Sequence, residues 1–199
     1  MARIHKDDKF LDFDAIGGYK HLTDTIKREM PEEFTRVVLD IGERDPDDSY
    51  SSVAYEKGFN LLWALERRVG TPAFEKFFKA YVAKFASKTV TSEEFRTFFN
   101  HHFKNDAVKI KDFDWNAWLY SPGMPPEDPN FDRTLAEASE QLAVNWFEVD
   151  REMKMVPSVD CKAWSSDQIT CFLDALLDLC EDQPLKLETV MAMKQQYGE

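Results

Sequence analysis

Glycine, cysteine and histidine are scarce in this sequence, and each scarcity removes a class of chemistry. Seven glycines among 199 residues leave no G-x-G-x-x-G and no G-x-x-x-x-G-K-[S/T], so no glycine-rich loop cradles a nucleotide phosphate. The three cysteines, Cys161, Cys171 and Cys180, are odd in number and never spaced C-x-x-C. That argues against a disulfide framework, and they read as reduced thiols with no nearby histidine to activate them. The four histidines, His5, His21 and the adjacent His101 and His102, form no H-E-x-x-H. Neighbouring residues on a helix point about 100° apart, so the adjacent pair does not chelate easily. No G-x-S-x-G elbow presents a serine nucleophile. A run of about 18 apolar residues is missing, and MARIHKDDKF has no hydrophobic signal core. Basic side chains are outnumbered 25 to 37, for a net charge of −12 and a pI near 4.8. Such a balance argues against binding nucleic acid or an anionic membrane. The expectation is a soluble, cytoplasmic protein.

Core-forming residues, by contrast, are abundant: 43% of the chain is hydrophobic, with 16 Phe and 5 Trp. A chain of this length buries about 70% of its unfolded surface, enough for an ordinary core. Helical periodicity dominates and alternating strands are absent, so the fold class is all-α. Gly17-Gly18 reads as a turn before an amphipathic stretch at 19–29 that stops at Pro31, and Phe34–Ile41 as a β-prone or extended run. A helix is expected over 51–69 with Gly70 as its stop, and Thr71-Pro72 opens the next. The core face of that second helix is Phe74, Phe77, Phe78, Tyr81, Val82 and Phe85. Thr91 to Glu94 forms a capping box before Phe95, Phe98, Phe99 and Phe103. Residues 112–120 suit a short helix. The stretch 121–131, SPGMPPEDPNF, suits a stiff connector. Helices then follow at 132–148, from a capping box at Ser165 to about 180, and at 185–197.

One constellation stands out: Asp45-Pro46-Asp47-Asp48-Ser49-Tyr50, followed by Ser51 to Phe59. An acidic turn feeds a helix start that carries two tyrosines. The plain reading is an acidic cap with packed rings. The functional reading is that a phenol at a helix N-terminus donates to a developing oxyanion, while a nearby carboxylate binds a substrate amine or polar group.

Three segments, SSVAYEKGFNLLWALE (51–66), KAYVAKF (79–85) and FDWNAWLYSPGMPP (113–126), together with Ala15-Ile16-Gly17-Gly18, resemble the leukotriene A(4) hydrolase branch of the M1 family of zinc metallopeptidases. The resemblance runs along essentially the whole chain and is strongest at 45–59 and 113–126. It implies the helical half of a thermolysin-like catalytic domain at 1–120, a Pro-rich connector at 121–131, and part of an armadillo-like helical domain at 132–199. It further implies hydrolysis of N-terminal residues from peptides, and in some members of an epoxide lipid. By the same resemblance Tyr55 is the catalytic oxyanion stabiliser and Asp47 the acidic residue of the substrate pocket. Tyr50 is a second pocket tyrosine, and Leu39, Ile41, Pro46 and Val53 are walls of an apolar substrate channel. The family's VPYEKG reads VAYEKG here, with Ala54 in place of proline and Tyr55 still in register.

The departure from the family is equally specific. Its zinc ligands, H-E-x-x-H and a downstream Glu, have no counterpart in these 199 residues. The complete family enzyme carries zinc and acts on peptide substrates; this chain alone is expected to bind no zinc and to be inactive. The uncovered apolar face of the Phe-rich array is expected to favour self-association. A different class also accounts for the residues: a catalytically dead helical module for protein interaction.

Overall fold

The computed structural model describes residues 9–28 and 30–198. Among them the protein is all-α, as the periodicity requires, with no strand. Helix α1 spans Lys9–Lys27, α2 Val53–Val69, α3 Thr71–Phe85, α4 Ser92–His102, α5 Ala107–Ile110 and α6 Trp115–Tyr120; α7 spans Thr134–Glu152, α8 Ser166–Leu179 and α9 Leu187–Tyr197. Short 3₁₀ turns occur at Glu32–Thr35, Pro46–Ser49 and Lys104–Asp106. No helix among the described residues is long and apolar enough to cross a membrane. The chain divides into two compact units, one of Gly18–Asn130 and one joining the residues up to Gly17 with Phe131 onward.

The helix boundaries follow local chemistry. The Thr91 hydroxyl accepts from the Glu94 N–H while Glu94 accepts from the Thr91 N–H, and Ser165 and Gln168 repeat that reciprocal cap at α8. Gly70, at φ +88°, ends α2 in a conformation that side-chain-bearing residues resist, and Pro72 starts α3. The Asp114 carboxylate caps α6 by accepting from the N–H groups of Asn116 and Ala117 at 3.0 and 2.9 Å.

Three expectations are corrected. Gly17-Gly18 is not a turn, because α1 runs straight through it. A Cβ at 18 would lie 2.2 Å from Oε2 of Glu56, the far end of a flexible side chain that can swing aside. The stretch 34–41 forms no strand; it begins inside a 3₁₀ turn and continues irregularly, with the Val38 N–H donating to the Leu119 carbonyl at 2.9 Å. On α3, Phe74 and Phe77 are buried, but Phe78 and Val82 are 44% and 54% exposed. They lie one turn beyond Phe74 and Phe78 respectively, on the flank of a stripe only wide enough to bury one row.

In the first unit Phe77 is fully buried and central: its ring lies 5.0 Å from Phe99 and 5.8 Å from Phe103, Phe95 and Phe74. Leu61, Leu65, Val69, Trp115, Trp118 and Leu119 complete this core. In the second unit Leu142, Ala143, Trp146, Phe172 and Leu176 form a separate core between α7 and α8. The Trp146 indole N–H, buried among them, donates to the Tyr197 hydroxyl at 3.2 Å, which ties in α9.

Candidate active site

The acidic turn is built by its own side chains. Oδ1 of Asp45 accepts from the Asp47 N–H at 2.9 Å, and the Asp45 carbonyl accepts from the Asp48 N–H at 3.1 Å. Buried Ser49 donates its hydroxyl to the Pro46 carbonyl at 2.8 Å, and the Tyr50 N–H returns to the Asp47 carbonyl at 3.3 Å. The chain then enters α2 through Ser51, whose hydroxyl accepts from the Val53 N–H at 3.3 Å, and through Ser52, whose hydroxyl is bonded to that of Thr25 at 2.9 Å. Tyr55 therefore stands in the first turn of α2, where backbone N–H groups and the helix dipole favour negative charge.

The structure brings the two tyrosines together. Their hydroxyl oxygens lie 3.3 Å apart and their rings meet edge to face, with centroids at 6.5 Å. Both are exposed, Tyr50 by 76% and Tyr55 by 63%. The hydrogen bond to Tyr50, and then the electrostatic influence of that phenol, hold the Tyr55 pKa above its ordinary value. A phenol held in its protonated form keeps its O–H available as a donor.

The other sequence candidates fall into three groups. Asp47 and Pro46 are exposed in the turn beside Tyr50. Leu39 and Ile41 are half-buried in the irregular segment that leads to it. This segment is held by the Val38 bond to Leu119 and by Arg44, which pairs with Glu33 at 2.7 Å and covers the Phe34 ring. Val53 is different: it is 1% exposed, so its side chain is a core contact and offers no wall to a substrate. As the first residue of α2 it opens the buried row that continues through Leu61, Leu65 and Val69.

Sequence reasoning missed Lys57. It belongs to that same row and is completely buried. Its ammonium donates to three carbonyl oxygens, those of Thr35 at 3.1 Å, Ser121 at 2.8 Å and Gly123 at 2.8 Å. Thr35 closes the knot: its hydroxyl donates to the Glu32 carbonyl and accepts from the Gly123 N–H, each at 2.6 Å. Burial pulls the Lys57 pKa down to about 8. Lys57 thus fixes the helix that carries Tyr55 to the segment leading toward Leu39 and Ile41, and to the Pro-rich stretch after α6. Its signal was available, since positions 53, 57, 61, 65 and 69 form one i+4 row in which a lone lysine interrupts apolar residues.

Among the described residues no three His, Cys, Asp or Glu side chains converge in a set that would hold a metal ion. They do not fit the zinc that the resemblance implies for a complete enzyme.

Residues 15–118 match the model of the peptidase family M1 domain. Leucine aminopeptidase 2 of Chaetomium globosum is 37% identical over 204 residues, covering 100% of this chain and 32% of that protein. The protein of the same name from Aspergillus niger is 36% identical over 203 residues, with the same coverage. The structure of native leukotriene A4 hydrolase from Saccharomyces cerevisiae superposes with a TM-score of 0.88 at 30% identity, covering 100% of this chain and 34% of that one. The chain spans about a third of the length of these relatives. With more than half of its residues inside the family's own domain, this chain belongs to peptidase family M1.

Proposed function

We propose that these residues supply one wall of the active site of an M1 aminopeptidase of the leukotriene A(4) hydrolase type, which releases N-terminal residues from peptide substrates. The observation that carries this reading is the tyrosine pair: Tyr55 stands in the first turn of α2, hydrogen-bonded to Tyr50 and open to solvent. In this role the Tyr55 hydroxyl donates to the oxyanion of the tetrahedral intermediate, and Tyr50 orients it. Asp47, exposed in the turn, receives the substrate's basic or polar end. Leu39, Ile41 and Pro46 present apolar surface to the side chain next to it. In this reading the same apolar lining also accommodates an epoxide lipid as an alternative substrate.

The zinc implied for such an enzyme would be held by residues that are not among these, and would supply Lewis-acid chemistry at the scissile carbonyl; in this reading the 199-residue chain alone is inactive. In this reading residues 1–120 are the helical part of the catalytic domain, 121–131 the connector, and 132–199 part of an armadillo-like helical domain; the enzyme works in the cytoplasm. The wide exposure of Phe78 and Val82 suits a face covered by further polypeptide or by self-association.

The test is a chimera in which these residues replace the matching third of Saccharomyces cerevisiae leukotriene A4 hydrolase. Tyr55→Phe in an active chimera is expected to lower kcat on an aminoacyl reporter by roughly 10²–10³-fold, with KM little changed, because the bond strengthens only in the transition state. Undiminished kcat would return Tyr55 to a packed surface ring.

A further inference from the structure

A buried charge of the first unit sits behind the candidate catalytic tyrosine. Lys57 follows Tyr55 by two residues on α2, about 200° around the helix, so Tyr55 faces solvent while Lys57 faces the core. The other members of the Lys57 row, Val53, Leu61, Leu65 and Val69, are apolar. An apolar side chain fills such a position at no cost in hydration, whereas an ammonium there gives up its water. What the ammonium adds is direction. It has three N–H donors, and they meet the carbonyls of Thr35 at 3.1 Å and of Ser121 and Gly123 at 2.8 Å. An apolar contact lets a helix slide by a fraction of an ångström; three hydrogen bonds to two separate segments define one position for Nζ.

The first turn of α2 depends on that direction. Ser52 is its N-cap but makes no side-chain cap to the helix; its hydroxyl is bonded to that of Thr25 instead. Val53 is the other buried side chain of the turn, and it offers apolar contact only. The Tyr50 and Tyr55 rings meet each other but are exposed, so no core wedges them in place.

The carbonyl side of the knot is built to hold still. The Thr35 hydroxyl donates to the Glu32 carbonyl and accepts from the Gly123 N–H, each at 2.6 Å. Gly123 stands at φ +80°, a conformation that side-chain-bearing residues resist, and it turns both its N–H and its carbonyl into the knot. From Thr35 the chain runs on to Leu39 and Ile41. The ammonium therefore joins the helix that carries Tyr55 to the segment that carries the apolar lining.

We propose that Lys57 is a positioning residue for peptide hydrolysis: it sets where the Tyr55 hydroxyl stands relative to Leu39 and Ile41, and it touches no substrate. This rests on the reading of Tyr55 as the oxyanion donor. Misplacing a reacting group by about an ångström costs a rate factor of up to about 10², so a tie of this kind bears on kcat.

The first readout uses the 199-residue chain with isotope-labelled tyrosine rings. Lys57→Met is expected to move the Tyr55 and Tyr50 resonances and to leave that of Tyr197 in place; an unmoved Tyr55 resonance overturns the proposal. The second readout is kinetic, in the active chimera. Lys57→Met should lower kcat by roughly ten- to a hundredfold with KM little changed, yet lower it no further when Tyr55→Phe is already present. A merely structural role removes folded enzyme and lowers kcat by the same factor in both backgrounds. Equal factors, or an undiminished kcat in Lys57→Met, overturn the proposal and leave the reading of Tyr55 intact. Undiminished kcat in Tyr55→Phe alone overturns that reading and the proposal with it. Where Lys57→Met does not fold, Gly123→Ala carries both readouts with the same outcomes. A Cβ at 123 meets nothing within 4 Å, so this variant strains the backbone of the knot and leaves Lys57 itself unchanged.

Discussion

The two units each bury a charged side chain, and they hold it by opposite means. Lys57, in the first unit, is fully buried and gives its ammonium to three backbone carbonyls. Asp150, in the second, is 1% exposed and is met by full charges as well as dipoles. It accepts from the Lys186 N–H and from Arg151, each at 2.7 Å, and from Thr189. Burial pushes the pKa of Asp150 up, but the bonds from Thr189 and Lys186 and the charges of Arg151 and Lys186 more than offset it and hold it below its ordinary value. Burial of Lys57 meets carbonyl dipoles alone, and its pKa falls to about 8. Dipoles fix where a buried charge sits; opposite charges also fix that it stays charged. The difference has a functional side, since Lys57 lies two residues from Tyr55 and holds that helix in place, whereas Asp150 fastens α7 to the start of α9.

The sharpest way to break this comparison is Lys57→Met, which keeps the length and apolar stem but removes every donor. Three carbonyls lose their partner, that of buried Thr35 and those of the more exposed Ser121 and Gly123, at about 1–3 kcal/mol for each that stays unsatisfied away from water. Partial relaxation brings the expected total to about 3–5 kcal/mol. Segment-resolved hydrogen exchange should show the loss in α2 and around residues 35 and 121–123, with α7–α9 unaffected. Loss of protection spread evenly through both units would remove the claim that Lys57 acts locally.

Asp150→Asn is the smaller perturbation. Asparagine keeps an acceptor for the Lys186 N–H and removes only the charge, so a cost of about 1–3 kcal/mol is expected, confined to α7 and residues 183–189. Chemical denaturation of the two variants side by side ranks them. A larger cost for Asp150→Asn than for Lys57→Met would mean that charge pairing, and not the number of orphaned partners, dominates.

The same contrast explains what could be read from the sequence. The helical array, the two capping boxes and the stop at Gly70 were legible because each is decided within a few residues. The failures lie where local pattern does not decide the outcome. Gly17-Gly18 reads as a turn from its own residue type, yet α1 runs through it. Residues 34–41 read as β-prone or extended, and although Arg36 is extended and Val38 bonds to Leu119, no strand forms. Val53 reads by family resemblance as a channel wall, yet the row it begins draws it into the core. Lys57 was passed over because lysine is usually solvated: its place in the i+4 row was visible, but its partners at 35, 121 and 123 lie far along the chain. The tyrosine pair was half legible: Tyr55 and Tyr50 were both singled out, but their mutual bond appears only in three dimensions.

The smallest expected effect is a pH response specific to the first unit. In the folded chain Lys57 titrates near 8, and in the unfolded chain near the ordinary lysine value of 10.5. Between these values the unfolded state binds more protons than the folded one, so this group makes stability rise with pH across that window. Below about pH 8 both states are protonated and the contribution is flat; above 10.5 neither is, and it is flat again. The slope between is at most about 1.4 kcal/mol per pH unit. Cys161 and Cys180, whose pKa values are raised chiefly by burial, act in the opposite sense over part of the same range. Their effect is common to the parent chain and to Lys57→Met and cancels in the difference between them. Denaturation of both at pH 7.5 and pH 9.5 should therefore show the parent's advantage over Lys57→Met growing with pH. An advantage that shrinks would mean that the three carbonyls hold the ammonium charged despite its burial, and the distinction drawn here between dipoles and charges would fail at its own best example.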